Sequence, residues 1–183
     1  MKKAIFSFIY HKLMGWKSVV TAKDYDKQII CCAPHTSNWD FIIGKIFYAA
    51  IGRETGFMMK KEWFFFPLGN LLRYMGGIPV NRGKKNSMVE QVAKVIEESK
   101  KFSLAITPEA TRSRNPNWKK GFYYIATKAN IPIVLVAIDY STKTIIAEKV
   151  IIPSGNIEKD MHEIKLYFHQ FKGKNPENFT TGL

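Results

Sequence analysis

Short apolar runs alternate along the chain with segments whose apolar residues recur at helical spacing. The runs predict strands over residues 28–33, 56–59, 76–82, 103–107, 131–138 and 145–152. The segments between them predict helices over residues 1–16, 39–51, a stretch through 71–75, 87–101, 118–130 and 157–171. The pattern therefore predicts an α/β fold: a single-domain sandwich with a mostly parallel central sheet flanked by helices.

The first helical segment, residues 1–16, is predicted to be amphipathic. It begins with two lysines and gathers Ile5, Phe8, Leu13 and Trp16 on one broad face. Such a helix either lies in a lipid interface, with its lysines reaching toward water, or packs on the protein core. Both alternatives stay open at this point.

Local signals mark two further segments. Ser87 and Glu90 have the spacing of a capping box, which is typical of a helix start. The residues from Lys172 onward show neither helical nor strand spacing and are expected to form a loose tail. No linker or repeat interrupts residues 1–183, so one domain is predicted.

The charge balance narrows the choice of partners. Lysine and arginine number 28 against 15 acidic residues, a formal net charge of +13, and the basic residues occur in scattered pairs. This excess favours anionic partners such as nucleic acid, an anionic lipid surface, a phosphorylated substrate or an acidic carrier protein.

The adjacent Cys31 and Cys32 suit neither a disulfide framework nor a metal site, so buried strand positions in a reducing cytosol are expected. No apolar stretch has the length of a spanning helix, and the chain is expected not to cross a membrane.

A histidine and an aspartate lie five positions apart, directly after the first predicted central strand. His35 and Asp40 would point apart on a regular helix or strand, so they can meet only if a turn separates them. Residues 36–38 favour such a turn, and Asn38 is a suitable N-cap for the next helix. A carboxylate bound to one imidazole nitrogen leaves the other nitrogen free to act as a base. A surface histidine beside a helix-start aspartate is the alternative.

Parallel strands bring their carboxyl ends to one edge of a sheet, and this edge would gather His35, Arg82 and Glu109. The sequence contains no phosphate-binding loop, dinucleotide fingerprint, HExxH zinc site or GxSxG nucleophile elbow. A base beside arginines suits a substrate with a hydroxyl to be deprotonated and a phosphate to be bound. Direct acyl transfer to an alcohol is the reaction that this set favours.

Four sequence blocks in this order carry a resemblance to a known family. They are HTSNWD at 35–40, GIPVNR at 77–82, PEATR at 108–112 and IPIVLV at 131–136. The ordered set resembles the glycerolipid acyltransferase family, which contains the enzymes that acylate lysophosphatidic acid. The resemblance covers residues 33–138, the motif-bearing core of the single domain.

The resemblance implies a role for each site residue. His35 would be the general base on the acceptor hydroxyl, and Asp40 would orient it. The substrate-binding residues implied by the resemblance are Arg82, Glu109, Thr111 and Arg112. The donor would be acyl-CoA or an acyl carrier protein thioester, with no metal or other cofactor. The acceptor would be a lysolipid such as 1-acyl-glycerol-3-phosphate, and the enzyme would be cytoplasmic, peripherally bound to the inner face of the cell membrane.

Three features depart from the family pattern. Ala110 stands where the family usually has glycine, residues 79–81 differ from the common approach to the arginine, and the chain lacks a long N-terminal membrane segment. They leave open an acceptor without phosphate, such as a hydroxyacyl amino-acid lipid, or a family member that binds anionic lipid without turnover. A non-enzymatic basic module that binds nucleic acid is the alternative from another class. Dispersed charge argues against it, so no nucleic-acid partner is expected.

Overall fold

The computed structural model describes residues 1–81 and 85–183, without the side chains of residues 85–87. The helices are α1 (Lys2–Phe8), α2 (Trp39–Ile51), α3 (Leu68–Tyr74), α4 (Lys85–Glu98), α5 (Gly121–Ala129) and α6 (Ile157–Phe168). The strands are β1 (Lys17–Val20), β2 (Lys27–Ala33), β3 (Gly56–Lys60), β4 (Gly77–Val80), β5 (Phe102–Ile106), β6 (Ile133–Asp139) and β7 (Thr144–Ile151). A π-helical turn, Ile9–Leu13, extends α1, and short 3₁₀ turns lie at Lys61–Trp63 and Pro176–Asn178.

The strands form one sheet in the order β1-β7-β6-β2-β5-β3-β4. Each neighbouring pair of the described strands is parallel except β6 and β7, which form an antiparallel hairpin. The predicted single α/β sandwich with a mostly parallel sheet is therefore confirmed. β2 lies between β5 and β6, so its carboxyl end is held in the middle of the sheet.

Helices cover both faces of the sheet, which is why β6 is buried at every position. On one face, α4, α5 and α6 contribute to a core that contains Ile96, Phe122 and Phe168. On the other face, the π-helical turn and α2 contribute Tyr10 and Phe47 to a second core. This three-layer arrangement leaves the strand ends, rather than the faces, available for a site.

The helix predicted over residues 1–16 ends earlier, at Leu13. Gly15 adopts a φ of 68°, a left-handed conformation that glycine tolerates and that ends the helix. Trp16 is thereby turned onto Tyr140, with the ring centroids 5.0 Å apart. β1 follows immediately and was not predicted, because its four residues alternate between exposed and half-buried and contain no apolar run.

The helix predicted from residue 118 begins only at Gly121. Trp118 belongs to the preceding loop, where it is buried and its Nε1 donates to the Thr180 carbonyl at 3.0 Å. The capping box predicted at Ser87 falls on side chains outside the described part of the chain, and α4 already begins at Lys85. None of the described helices combines the length and apolar character of a membrane-spanning helix.

The C-terminal tail is ordered against the sheet, so the prediction of a loose tail is wrong. The Lys172 N–H donates to Asp139 Oδ1 at 3.2 Å, and the Lys172 carbonyl accepts from the Tyr140 N–H at 2.9 Å. Thr181, near the end of the chain, is buried. The tail is held by hydrogen bonds to residues that are distant in the sequence, which apolar spacing does not reveal.

Candidate active site

His35 and Asp40 meet at the carboxyl end of β2. β2 ends at Ala33, and the chain turns before α2, so that Asp40 lies in the first turn of that helix. The two side chains approach with 3.1 Å between His35 Nδ1 and Asp40 Oδ2. Asp40 is buried, whereas the His35 side chain remains 17% exposed. The predicted turn therefore brings the pair together and leaves the imidazole accessible.

The Asp40 carboxylate also organises the turn between the two residues. Its Oδ2 accepts from the N–H groups of Thr36 and Ser37, both at 2.8 Å. The predicted side-chain cap by Asn38 does not form, although Asn38 occupies the N-cap position. Asp40 thus satisfies backbone donors that would otherwise be left without a partner before the helix.

Tyr140 is a third member of the site. Its hydroxyl donates to Asp40 Oδ1 at 2.6 Å, and the two residues are 100 positions apart in the sequence. The spacing of residues in the sequence does not predict this contact. The available signal was position, because Tyr140 directly follows β6, whose carboxyl end lies at the same sheet edge as that of β2.

The protonation state of Asp40 follows from these contacts. Burial by itself would raise the pKa of Asp40, but hydrogen bonds from His35, Tyr140 and Ser37 together lower it below 3.8. An ionised carboxylate can only accept, so the proton between the pair belongs on His35 Nδ1. In the neutral imidazole this tautomer leaves Nε2 without a hydrogen, so Nε2 is chemically able to take a proton from a substrate.

Glu109 also lies at the site, in the loop that follows β5, the strand beside β2. Its Oε1 accepts from the His35 N–H at 2.8 Å, which ties the two strand ends together. Its Oε2 is buried and has no hydrogen-bond partner among the described residues. Burial raises the pKa of Glu109 to about 7, although the hydrogen bond from His35 acts in the opposite direction. The prediction that His35 and Glu109 lie at one rim is confirmed.

We expect Glu109→Gln to remove a loss of folding stability that wild type shows as the pH rises. The folded pKa of Glu109 is about 7, against roughly 4.3 in an unfolded chain. Between these values the folded state binds more protons than the unfolded state, so stability falls as pH rises. Glutamine keeps an oxygen that can accept from the His35 N–H but carries no charge.

The measurement is thermal unfolding of wild type and Glu109→Gln at about pH 5 and about pH 8. These two values enclose most of the pH range between the unfolded and folded pKa of Glu109. The Tm of the variant relative to wild type should rise between the two pH values. An equal Tm difference at both would show that Glu109 does not titrate in this way.

The loop after β5 carries Thr111 and Arg112 to the same groove as His35. Ala110 adopts a φ of 57°, a left-handed conformation that favours glycine, although an alanine occupies the position. An L-residue in this conformation costs about 1–2 kcal/mol. Asn115 holds the loop by donating its Nδ2 to the Glu109 carbonyl at 2.8 Å. Arg112 is exposed and pairs with none of the described carboxylates.

The C-terminal tail crosses the turn that follows His35. The Asn175 N–H donates to Thr36 Oγ1 at 3.1 Å, and Asn175 Nδ2 donates to the Thr36 carbonyl at 2.9 Å. Gly173 lies so close that a Cβ there would be 2.6 Å from Thr36 Oγ1. The tail therefore fixes the backbone from which the His35 side chain projects.

The site opens into a groove of about 1500 Å³. Beside His35 the lining includes polar and basic side chains, from Thr111, Arg112, Lys119 and Lys120. Much of the remaining lining is apolar, and Phe41 of α2 meets Phe57 of β3 edge to face, with ring centroids 5.0 Å apart. The groove thus combines a basic region for anionic groups with apolar surface for hydrocarbon.

One residue of the predicted site lies outside the described part of the chain. Arg82 falls in residues 82–84, which are not described, so its place at the rim stays a prediction. Among the described residues, no three His, Cys, Asp or Glu side chains are grouped as metal ligands.

Comparison with known proteins relates the chain to acyltransferases. Residues 17–139 match the family model described as Acyltransferase. The chain is 30% identical over 132 residues to the 1-acyl-sn-glycerol-3-phosphate acyltransferase of Saccharomyces cerevisiae, covering 67% of this chain and 42% of that protein. It is 30% identical over 104 residues to the human 1-acyl-sn-glycerol-3-phosphate acyltransferase beta, covering 54% and 37%. The chain therefore spans less than half the length of these curated relatives.

A solved structure shares the fold. The 1-acyl-sn-glycerophosphate (LPA) acyltransferase PlsC from Thermotoga maritima superimposes with a TM-score of 0.60, covering 91% of this chain and 78% of that chain. The sequences are 16% identical, so the likeness concerns the fold alone.

Proposed function

Because the chain belongs to the acyltransferase family, we propose that it transfers a fatty acyl group from a thioester to the hydroxyl of a lysolipid. The donor is acyl-CoA or acyl carrier protein, and the acceptor is a lysolipid such as 1-acyl-glycerol-3-phosphate. The observation that carries the proposal is the His35–Asp40 contact of 3.1 Å at the groove, with the imidazole accessible.

In the proposed reaction His35 acts first as a base and then as an acid. Its Nε2 takes the proton from the acceptor hydroxyl while that oxygen attacks the carbonyl carbon of the thioester. The tetrahedral intermediate collapses as the carbon–sulfur bond breaks, and the departing thiolate takes the proton from His35. Asp40 holds the ring and stabilises the imidazolium that forms between the two steps. The products are an ester and a free thiol, and no metal or other cofactor takes part.

Binding of the acceptor phosphate is assigned to the basic part of the groove. Arg112 is exposed there, and a guanidinium can bind a phosphate through two parallel hydrogen bonds. Thr111 and Glu109 shape the surrounding surface, and Arg82 remains a second phosphate ligand expected from the sequence. Lys119 and Lys120 line the same groove and add positive charge for an anionic donor.

We expect Arg112→Ala to raise the KM for a phosphorylated acceptor by about tenfold or more, with a smaller change in kcat, because a charge-assisted contact to bound substrate is lost. Steady-state kinetics with 1-acyl-glycerol-3-phosphate measure the effect. Arg114→Ala is the matched control, since Arg114 is also exposed but does not line the groove. An unchanged KM in Arg112→Ala would remove this residue from the phosphate site.

A panel of acceptors tests the function as a whole. Purified protein is given acyl-CoA or acyl carrier protein thioester with lysolipids that carry a phosphate, and with hydroxyacyl amino-acid lipids that carry none. Product masses then identify the acceptor. Acylation of the phosphorylated lysolipid supports the proposal, whereas acylation of only the phosphate-free lipids would redirect it to another acceptor.

α1 and its π-helical turn suit a peripheral position on the inner face of the cell membrane, in the cytoplasm. Tyr10 is fully buried against Phe47, with ring centroids 5.7 Å apart, so the helix is packed on the core. Ile5 and Phe8 are more than half exposed, beside the basic start of the helix. An exposed apolar face with lysines at its margin is suited to an anionic lipid interface.

A further inference from the structure

The segment between β3 and β4 exposes an unusual amount of apolar surface. Large apolar side chains that are between 36% and 84% exposed occur repeatedly over residues 63–75. They are Trp63, Phe65, Phe66, Leu71, Tyr74 and Met75, and we call this surface the aromatic patch. Soluble monomers rarely leave contiguous apolar patches of this kind in water without a binding role.

The exposure of the aromatic patch is fixed by the local fold. Phe64 is half-buried, and the Arg73 guanidinium lies 5.2 Å from the centre of its ring. The Gly69 N–H donates to the Phe65 carbonyl at 2.6 Å, and a Cβ on Gly69 would lie 2.6 Å from the Phe64 backbone. α3 buries only Gly69 and Leu72, and its Leu71 and Tyr74 side chains are exposed.

Charge identifies the partner that fits this surface. Residues 60–75 contain three basic side chains, from Lys60, Lys61 and Arg73, against one acidic side chain, from Glu62. Aromatic side chains with lysine and arginine at their margin match the acyl and headgroup regions of an anionic bilayer. A symmetric contact between two copies would instead place the same basic residues opposite each other, which is unfavourable.

The aromatic patch adjoins both the groove and α1. Phe57, Met58 and Met59 of β3 line the groove, and the patch begins just beyond the end of that strand. Lys45 Nζ donates to the carbonyls of Thr55 and Met75, both at 2.9 Å, so the end of α3 lies beside the start of β3. The Lys3 side chain lies against Gly52, the residue that ends α2 just before β3. Burial and the nearby charge of Lys2 lower the pKa of Lys45, whose Nζ binds the Met75 carbonyl, so the start of α1 also lies near the end of α3.

We propose that the aromatic patch docks on an anionic bilayer together with the exposed face of α1. This inference rests on the proposed function, since a lysolipid acceptor resides in such a bilayer. Docking would set the mouth of the groove at the lipid headgroups, so that the acceptor enters sideways from the membrane. The patch residues themselves do not line the groove.

Vesicle binding tests the docking surface. The probes are phosphatidylcholine vesicles with and without phosphatidylglycerol. The patch variant is Phe65→Ser with Phe66→Ser and Tyr74→Ser. The matched control is Ile152→Ser with Leu166→Ser. These side chains are also exposed, by 65% and 59%, but Ile152 directly follows β7 and Leu166 lies on α6, outside the patch.

Wild type and control should bind the anionic vesicles, and added salt should weaken the binding. The patch variant should bind about tenfold more weakly or worse, because three apolar side chains no longer enter the interface. Brominated lipid should quench tryptophan emission in wild type, and Trp63→Phe should remove much of that quenching. Equal vesicle binding by wild type and the patch variant would overturn the docking surface. So would a dimer that forms through the patch without any vesicle binding.

A soluble assay separates this inference from the proposed function. With a short-chain lysolipid dissolved as monomers, the patch variant should retain wild-type turnover, because its groove is intact. Vesicle binding by wild type without any acyl transfer would contradict the proposed function and leave the docking surface standing. Acyl transfer by a protein whose vesicle binding does not depend on the patch would support the proposed function and contradict the docking surface.

Discussion

Replacing His35 by alanine is expected to lower kcat for acyl transfer by about 10³-fold, because the proposed mechanism then lacks the base that deprotonates the acceptor hydroxyl. The fold should persist, since Asp40 keeps its hydrogen bonds from the Thr36 and Ser37 N–H groups and from Tyr140. Thioester-dependent product formation measures the loss, and circular dichroism verifies that the variant is folded.

Two controls sharpen the His35 experiment. His162→Ala changes an exposed histidine on α6 and should leave kcat unchanged. Imidazole added to His35→Ala should restore part of the activity, because it supplies a base to the space that the side chain left. Full turnover by folded His35→Ala would mean that another group removes the proton.

Asp40→Asn is expected to lower kcat by about 10²-fold or more. Three N–H donors converge on Asp40 Oδ2, so the amide oxygen of asparagine should take that position and still accept from His35 Nδ1. The variant loses the negative charge that, in the proposed mechanism, stabilises the imidazolium during proton transfer. The measurement is kcat at saturating substrate for the folded variant.

Tyr140→Phe separates the effect of the Asp40 charge from the effect of holding Asp40 in position. It removes one hydrogen bond to Asp40 but keeps the carboxylate, so kcat should fall by less than about tenfold. Asp40 should also stabilise the fold at neutral pH, because its pKa is lowered. That contribution is present above the unfolded pKa and is lost as pH falls through the folded pKa. A kcat for Asp40→Asn equal to that of Tyr140→Phe would show that the charge has no catalytic role.

The sequence alone was sufficient to predict the layers of the fold and the meeting of His35 and Asp40 at the site. Strand runs and helical spacing reflect burial, and burial determines which elements form the sheet and its covering helices. The five-residue separation of His35 and Asp40 required a turn, and the structure contains that turn. Parallel strand ends placed Glu109 beside His35 for the same topological reason.

The supporting contacts could not be inferred from local pattern. Tyr140 reaches Asp40 across 100 positions, and Asn175 reaches Thr36 across 139 positions. Hydrogen bonds between such distant residues depend on the assembled sheet rather than on the spacing of apolar residues. β1 was missed for a similar reason, because it is held by backbone pairing with β7 at the sheet edge.

The stoichiometry of the reaction distinguishes acyl transfer to the lysolipid from simple hydrolysis of the thioester. Wild-type protein is incubated with acyl thioester and 1-acyl-glycerol-3-phosphate, and the free thiol and the diacyl ester are quantified in the same sample. We expect equal amounts of thiol and ester with the wild-type protein, and neither product above background with His35→Ala. Thiol release without ester, or no release with any donor and lysolipid, would contradict acyl transfer by this site.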